Sequence, residues 1–416
     1  MSKGQNGLMN IHLQKSILAK QSAIQITGSK SESNRLLLLQ ALFPNLQLEN
    51  VSNSDDSKVM QKALTSLENV IDIHHAGTAM RFLTAYFSIQ NNREVILTGS
   101  SRMQERPIAI LVEALTQLGV EISYEKEVGY PPIKIKGKQI TKNKVTLKAN
   151  VSSQYISALL LIAPKLENGL ELTLDGEITS IPYINMTLAL LNEIGVETSF
   201  KNNVITVKPK ASIQAKKGLI ESDWSSASYY YSIIAMCPVG TQTTLASYKE
   251  SSLQGDASLA EIYKQFGVET TFKDNKITLQ KSADINAQTV ISLDLKNSPD
   301  IAQTIAVTCF GLGIACDLKG LHTLKIKETD RLVALKTEIE KLGGAVSITD
   351  KTLELQVANS INKDIKIATY QDHRMAMAFA PLALKTSIVI EEADVVSKSY
   401  PTFWKDLKAI GFKFSE

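Results

Sequence analysis

Six short stretches of the sequence place small hydroxyl residues or charged residues directly before an apolar run. The first, Gly28-Ser-Lys-Ser-Glu-Ser-Asn-Arg35, leads into the apolar residues Leu36 to Phe43. The start of a helix is a natural site for an anion, because it offers free backbone N–H groups and the positive end of the helix dipole. A serine N-cap with basic neighbours gives the same pattern, so only its recurrence indicates a binding function. The other stretches are Ala76-Gly-Thr-Ala-Met-Arg81, Ser152-Ser-Gln-Tyr155, Ser225-Ser-Ala-Ser228, Ser298-Pro-Asp-Ile301 and Asp372-His-Arg-Met375.

Four cations in the intervening loops, Arg106, Lys327, Arg331 and Lys398, would add positive charge near these helix starts. Arginine suits bidentate binding of a carboxylate or a phosphate, and lysine acts as a point charge. If the helix starts face one cleft, they predict a ligand that carries several negative charges. Each cation taken alone is equally well explained as a solvated surface charge.

Two carboxylates, Asp300 and Glu328, fall within this basic set. A carboxylate among anion-binding cations weakens the binding of an anion unless it transfers protons, so we predict a general acid/base pair at these positions. His373 competes for that role, although Asp372-His373 is equally consistent with an N-cap and its neighbour. The histidines show no metal-ligand spacing, and we predict neither a metal nor a cofactor.

The elements that would position these residues form a repeat. An amphipathic helix that ends in glycine and leads into a strand recurs at Gly119, Gly195, Gly267, Gly343 and Gly411. Each glycine suits the C′ position of a helix, where a positive φ costs least. The glycines recur about every seventy residues, and each follows a helix-start stretch by roughly forty. The pattern therefore predicts six α/β units, although an open α/β sheet with similar helices would need no such order.

The six units predict two similar domains, each of three units, with the active site in the cleft between them. We expect units one to three in residues 28–221. Units four to six, with the N-terminal strand, are expected in residues 222–416 plus 1–27. A chain of 416 residues is long for a single core, which also favours two domains.

Composition excludes several classes of protein. The net charge of +3 is too small to indicate a nucleic-acid or membrane partner by itself, and 44% hydrophobic content is ordinary for a globular protein. Cys237, Cys309 and Cys316 have neither metal-ligand nor disulfide-framework spacing, which fits a reducing compartment. No signal-like segment or apolar run of bilayer length is present. We expect a cytoplasmic monomer that acts on small molecules.

Six segments, spread over nearly the whole chain, are informative together: Gly28 to Arg35, Ala76 to Arg81, Arg102-Met-Gln-Glu-Arg-Pro107, Val151-Ser-Ser-Gln154, Lys327-Glu-Thr-Asp-Arg331 and Asp372-His-Arg-Met-Ala-Met377. They resemble, in the same order, segments of the 3-phosphoshikimate 1-carboxyvinyltransferase (EPSP synthase) family. The resemblance implies two domains, each of three βαβαββ-like units. It also implies transfer of the enolpyruvyl group of phosphoenolpyruvate to the 5-hydroxyl of shikimate 3-phosphate by addition and elimination, in aromatic amino acid biosynthesis.

The resemblance implies a role for each matching residue. Asp300 would be the base for the 5-hydroxyl and Glu328 would serve the methylene carbon, with the division of proton steps between these two and Lys327 left open. Thr323 stands where the family usually has asparagine. The residues implied for shikimate 3-phosphate are Lys30, Ser31, Arg35, Ser152, Ser153, Gln154, Ser180, Tyr183, Asp300, Thr323 and Lys327. Those implied for phosphoenolpyruvate are Lys30, Gly77, Arg106, Gln154, Arg331, Arg374 and Lys398.

Two other functions compete with this interpretation. UDP-N-acetylglucosamine 1-carboxyvinyltransferase shares the architecture and phosphoenolpyruvate, but its family typically has a cysteine in the loop that here runs from Gly99 to Arg106 without one. A non-catalytic anion- or RNA-binding protein would need base-stacking aromatic residues among its cations. The only aromatic run, Tyr229 to Tyr231, is expected on a buried helix face instead.

Overall fold

The chain folds into two units and crosses from one to the other twice. The structure, a computed structural model, describes residues 9–149, 152–176, 178 and 181–416. One unit consists of Gly28–Glu221, and the other consists of the residues up to Thr27 together with Ser222–Glu416.

The strands are short, between three and six residues each. In the described residues they are, in chain order, β1 (Ile11–Gln14), β2 (Gln21–Ile24), β3 (Leu46–Glu49), β4 (Val70–Asp72), β5 (Glu94–Thr98), β6 (Glu121–Tyr124), β7 (Ile133–Lys136), β8 (Lys144–Lys148), β9 (Leu170–Asp175), β10 (Thr198–Lys201), β11 (Val204–Val207), β12 (Lys216–Leu219), β13 (Gln242–Ala246), β14 (Val268–Lys273), β15 (Lys276–Lys281), β16 (Val290–Asp294), β17 (Ala315–Lys319), β18 (Val346–Ile348), β19 (Leu353–Leu355), β20 (Ile365–Ile367), β21 (Ile388–Ile390) and β22 (Lys413–Ser415).

The helices alternate with these strands. In the same residues the α-helices are α1 (Lys30–Leu42), α2 (Asp55–Thr65), α3 (Gly77–Ser88), α4 (Ser101–Gln104), α5 (Ala109–Gln117), α6 (Ser153–Ile162), α7 (Ile181–Glu193), α8 (Trp224–Met236), α9 (Leu259–Ile262), α10 (Ala302–Leu312), α11 (Arg331–Lys341), α12 (His373–Phe379) and α13 (Phe403–Ile410). No helix in this part of the chain combines the length and hydrophobicity that a bilayer span requires.

Most of the sheets follow one plan. In the sheet β4-β5-β7-β6, β4 and β5 are parallel and β7 runs antiparallel to both β5 and β6. Parallel neighbours need a crossover connection, which α3 supplies, and α5 then leads into the hairpin of β6 and β7. Four further sheets repeat the plan, in the orders β10-β11-β9-β8, β14-β15-β13-β2, β16-β17-β19-β18 and β20-β21-β1-β22. The predicted α/β class and βαβαββ repeat are confirmed.

The first of the six βαβαββ repeats is shorter than predicted. Its sheet, formed by β3 and β12, has two parallel strands in the described residues and no hairpin. The reason is the connection after α2, where residues 66–69 lead directly to β4 and leave no room for two more strands.

The predicted glycines lie at the end of the second helix in each of the other five repeats. Their φ angles are all positive: 95° at Gly119, 81° at Gly195, 68° at Gly267, 98° at Gly343 and 113° at Gly411. A residue with a Cβ atom would be strained in this conformation, so the recurrence of glycine marks where each helix stops and the chain turns into the next strand.

The first helix of each βαβαββ repeat lies in the core. In Gly28–Glu221, α3 packs on α6, and α6 packs on α7 and α1. In the other unit, α8, α10 and α12 pack on one another. Tyr229, Tyr230 and Tyr231 on α8 are no more than 1% exposed, which confirms the buried face expected for this run.

Candidate active site

In four of the buried helices, the second residue is the only one that is not fully buried. These residues are Thr78 in α3, Gln154 in α6, Ser225 in α8 and Arg374 in α12. Backbone N–H groups without helical partners, and the positive end of the helix dipole, lie at the same place. Each buried helix therefore offers its polar first turn to a ligand.

In the unit Gly28–Glu221, three predicted ligand-binding residues lie near the starts of α3 and α6. The Arg106 guanidinium fills the space beside Gly77, where an added Cβ atom would lie 2.4 Å from Arg106 Nη1. Gln154 Nε2 donates a hydrogen bond to Thr78 Oγ1 at 3.2 Å. The helix N-cap of α3, Ala76, makes no side-chain capping bond. A cation, an amide and an uncapped helix start thus come together.

Lys30 begins α1, and its ammonium lies 3.8 Å from Asp56 Oδ2. Ser152 is the N-cap of α6 and accepts from the backbone N–H of Gln154 at 3.3 Å, while Ser153 begins the helix. Ser180 lies outside the described residues.

Arg35 differs from the other predicted phosphate ligands, because its side chain turns into the core. It donates to the Ser31 carbonyl at 2.8 Å, to Thr187 Oγ1 at 2.8 Å and to Ser157 Oγ at 3.0 Å, and the Tyr183 ring lies 5.8 Å away. Burial lowers the pKa of Arg35 to about 10. These contacts tie α1 to α6 and α7, and the contact of Arg35 with shikimate 3-phosphate stays a prediction.

In the other unit, Arg331 at the start of α11 lies among three carboxylates. It donates from Nε to Asp372 Oδ2 at 2.6 Å, from Nη1 to Asp300 Oδ1 at 2.9 Å and from Nη2 to Glu328 Oε2 at 2.6 Å. Burial opposes its charge, but Asp372, Glu328 and Asp300 together raise the pKa of Arg331. The Arg331 guanidinium therefore holds both members of the predicted proton-transfer pair, Asp300 and Glu328, beside the same cation.

Asp300 is surrounded by cations. Besides Arg331, Lys327 Nζ lies 3.4 Å from Asp300 Oδ1 and Arg374 Nη2 lies 3.4 Å from Asp300 Oδ2. Burial alone would raise the pKa of Asp300, but Lys327, Arg374 and Arg331 hold it well below its usual value. Asp300 is therefore ionised in the free protein. Its proton affinity depends on how strongly these three cations also interact with other negatively charged groups.

Two residues that are not among the predicted ligand or proton-transfer residues, Ser225 and Asp256, also contact this cluster. Ser225 Oγ donates to Asp256 Oδ2 and accepts from Arg374 Nη2 at 3.3 Å. Burial and the charge of Asp300 raise the pKa of Asp256 to about 6, against the opposing effect of Arg374. A sequence signal did exist for Ser225, because it has the same position in its helix as Gln154 and Arg374 have in theirs.

The remaining predicted residues lie around the cluster. Lys398 Nζ donates at 2.7 Å to the carbonyl of Gln371, directly before the helix start that carries Asp372 and Arg374. Thr323 Oγ1 is buried and has no hydrogen-bond partner among the described residues. His373 is 3% exposed, with Nδ1 3.8 Å from Asp372 Oδ1, and is less accessible to a ligand than Glu328 or Lys327.

The chain is similar to one family of known proteins over most of its length. A profile of the family described as EPSP synthase (3-phosphoshikimate 1-carboxyvinyltransferase) matches residues 65–407. A Bacteroides fragilis protein named 3-phosphoshikimate 1-carboxyvinyltransferase is 45% identical over 395 residues, which cover 94% of this chain and 95% of that protein. A Haemophilus influenzae protein of the same name is 35% identical over 430 aligned residues, covering 95% of this chain and 98% of that protein.

Solved structures share the fold. EPSP synthase from Acinetobacter baumannii superposes with a TM-score of 0.81 at 19% sequence identity, and the match covers 98% of this chain and 100% of that one.

Proposed function

The chain belongs to the EPSP synthase (3-phosphoshikimate 1-carboxyvinyltransferase) family, and we propose that it transfers the enolpyruvyl group of phosphoenolpyruvate to the 5-hydroxyl of shikimate 3-phosphate, in aromatic amino acid biosynthesis. The observation that carries this proposal is the position of Asp300 within 3.4 Å of Lys327, Arg331 and Arg374. A site that only bound anions would gain nothing from a carboxylate among its cations, whereas a site that also moves protons requires one.

The cations suit phosphoenolpyruvate, which carries a phosphate and a carboxylate. We propose that its ligands are Lys30, Gly77, Arg106, Gln154, Arg331, Arg374 and Lys398. Arginine can bind either group through two parallel hydrogen bonds. Shikimate 3-phosphate would be bound by Lys30, Ser31, Arg35, Ser152, Ser153, Gln154, Ser180, Tyr183, Asp300, Thr323 and Lys327.

Asp300 would remove the proton of the 5-hydroxyl as the hydroxyl oxygen bonds to C2 of phosphoenolpyruvate. In the free protein its low pKa makes it a weak base. When the phosphate and carboxylate of phosphoenolpyruvate draw the charge of Arg374 and Arg331, the pKa of Asp300 should rise. The binding of the second substrate would thus activate the base.

The methylene carbon of phosphoenolpyruvate would gain a proton during the addition and lose one during the elimination, as the bond from C2 to the phosphate oxygen breaks. Glu328 and Lys327 are adjacent in the chain, and each contacts one member of the Asp300–Arg331 pair: Lys327 lies 3.4 Å from Asp300 and Glu328 lies 2.6 Å from Arg331. We propose that Glu328 exchanges the proton with the carbon and that Lys327 stabilises the charge beside it.

The test is the release of inorganic phosphate from phosphoenolpyruvate with shikimate 3-phosphate and UDP-N-acetylglucosamine offered separately. We expect turnover with shikimate 3-phosphate alone. Turnover with the UDP-sugar alone would assign the chain to the other carboxyvinyltransferase. Saturable binding of phosphoenolpyruvate without turnover by either acceptor would favour a non-catalytic anion-binding protein.

We propose a cytoplasmic monomer without a nucleic-acid or membrane partner. The three free cysteines, Cys237, Cys309 and Cys316, are all buried, and a reducing compartment would preserve them as thiols.

A further inference from the structure

One buried carboxylate lies on α11 outside the proposed catalytic cluster. Glu338 is 0% exposed, and its Oε1 accepts hydrogen bonds from the Tyr370 hydroxyl at 2.6 Å and from Lys341 Nζ at 2.8 Å. Its Oε2 accepts from Lys341 Nζ at 2.8 Å and from the backbone N–H of Ala368 at 3.3 Å. Burial of a carboxylate costs free energy unless the carboxylate is paired in this way. We therefore expect Glu338 to have a role beyond packing.

The segment that Glu338 holds has an unusual backbone. Tyr370 and Gln371 are successive non-glycine residues with positive φ angles of 54° and 56°. Side chains with a Cβ atom seldom adopt this left-handed conformation, and it persists only where surrounding contacts impose it. The Tyr370 hydroxyl bond to Glu338 is one such contact. A second is the hydrogen bond from the Asp372 backbone N–H to the Thr369 carbonyl at 2.8 Å.

This turn sets the position of two cations proposed to bind phosphoenolpyruvate. The carbonyl of Gln371 accepts from Lys398 Nζ at 2.7 Å. Directly after the turn, Asp372 Oδ1 caps α12 by accepting from the Arg374 backbone N–H at 2.9 Å. A change in the turn would therefore move both Lys398 and Arg374.

Helix α11 contacts the segment from Ala368 to Asp372 at two points. Arg331 and Glu338 are seven residues apart, which places them on one face of the helix. Arg331 pairs with Asp372 at 2.6 Å after the turn, and Glu338 bonds to Ala368 and Tyr370 before and within it. Burial and the bond to Glu338 raise the pKa of Tyr370 to about 12, so its hydroxyl keeps the proton that it donates.

We propose that Glu338 is a positioning residue, which holds the left-handed turn at Tyr370 and Gln371 through the Tyr370 hydroxyl and thereby fixes Arg374 and Lys398 for phosphoenolpyruvate. This assignment rests on the proposed function. Neither Glu338 nor Tyr370 is among the residues proposed to touch a substrate.

The test is Tyr370→Phe, which removes the hydroxyl and nothing else from a residue that is 37% exposed. Loss of a hydrogen bond to a charged acceptor should raise the KM for phosphoenolpyruvate about tenfold. The KM for shikimate 3-phosphate should change by less than about twofold, because most of its proposed ligands lie in Gly28–Glu221. Hydrogen exchange of the Asp372 amide should accelerate, since the turn that protects it loosens.

Two further variants separate positioning from general stability. Adding Gln371→Asn to Tyr370→Phe should recover part of the lost affinity, because asparagine tolerates the left-handed conformation better than glutamine. Glu338→Gln should affect the same KM, and its effect should not add to that of Tyr370→Phe. Tyr124→Phe on β6, a partly buried tyrosine of the other unit, is the matched control and should leave both KM values unchanged.

An unchanged KM for phosphoenolpyruvate in Tyr370→Phe would overturn the assignment. So would equal losses for both substrates that Gln371→Asn does not relieve, because they would indicate a structural role alone. If the unsubstituted protein released no phosphate with shikimate 3-phosphate, the proposed function would fail first. The exchange rate of the Asp372 amide would then still decide whether the Tyr370 hydroxyl holds the turn.

Discussion

Replacement of Asp300 by asparagine is expected to lower kcat about 10²- to 10⁴-fold, the usual contribution of a general base. The amide can still accept the hydrogen bond that Arg331 Nη1 donates at 2.9 Å, but it cannot take the proton of the substrate hydroxyl. The KM for phosphoenolpyruvate should not increase, because the substitution removes a negative charge that competes with this substrate for Arg374 and Arg331. Steady-state phosphate release with each substrate varied in turn measures both constants.

The matched control is Asp350→Asn in the same unit, an exposed carboxylate that pairs with Lys325 at 2.6 Å. It should keep the activity of the unsubstituted protein. A kcat for Asp300→Asn within a few-fold of that value would remove Asp300 from the chemistry and leave it as a structural partner of Arg331.

Replacement of Arg331 by methionine is expected to cause the largest loss of stability. Methionine has a similar volume but leaves Asp372, Asp300 and Glu328 without the cation that bonds to all three. Removal of one partner of a buried ion pair costs about 3–5 kcal/mol. For a unit of this size that corresponds to a fall in Tm of roughly 10 °C, measured by circular dichroism.

Arg102→Met provides the control for this loss. Arg102 also pairs with a carboxylate, Glu105, at 2.7 Å, but both side chains are more than 60% exposed. Exposed pairs contribute about 0–1 kcal/mol, so its Tm should hardly change. Equal Tm values for the two variants would contradict a central structural role for the Arg331 guanidinium.

The repeat could be predicted from the sequence because it depends on local signals. A glycine at positive φ after an amphipathic helix, such as Gly119 or Gly195, is required by the backbone whatever surrounds it. The starts of the buried helices, where small polar residues meet an apolar run, are equally local. The absence of a hairpin in the first repeat was harder to predict, because it follows from the length of the loop after α2.

The partners within the candidate site could not be predicted in the same way. Asp256 meets Ser225 across 31 residues of chain, and Arg331 meets Asp372 across 41. Such contacts depend on how strands and helices stack, which the local pattern does not encode. Glu338 was not among the predicted site residues, although it follows Leu335 by three residues and precedes Leu342 by four. This spacing places it on the apolar face, and it was the one available signal.

The most direct test of the proposed addition and elimination is to run the reaction in D₂O and to analyse the product by NMR. If the enzyme protonates the methylene carbon of phosphoenolpyruvate before phosphate leaves, deuterium should enter the vinyl group of 5-enolpyruvylshikimate 3-phosphate. We expect that label in the product of the unsubstituted protein. A product formed at full rate with no deuterium in its vinyl group would contradict the account of Asp300, Glu328 and Lys327 given above.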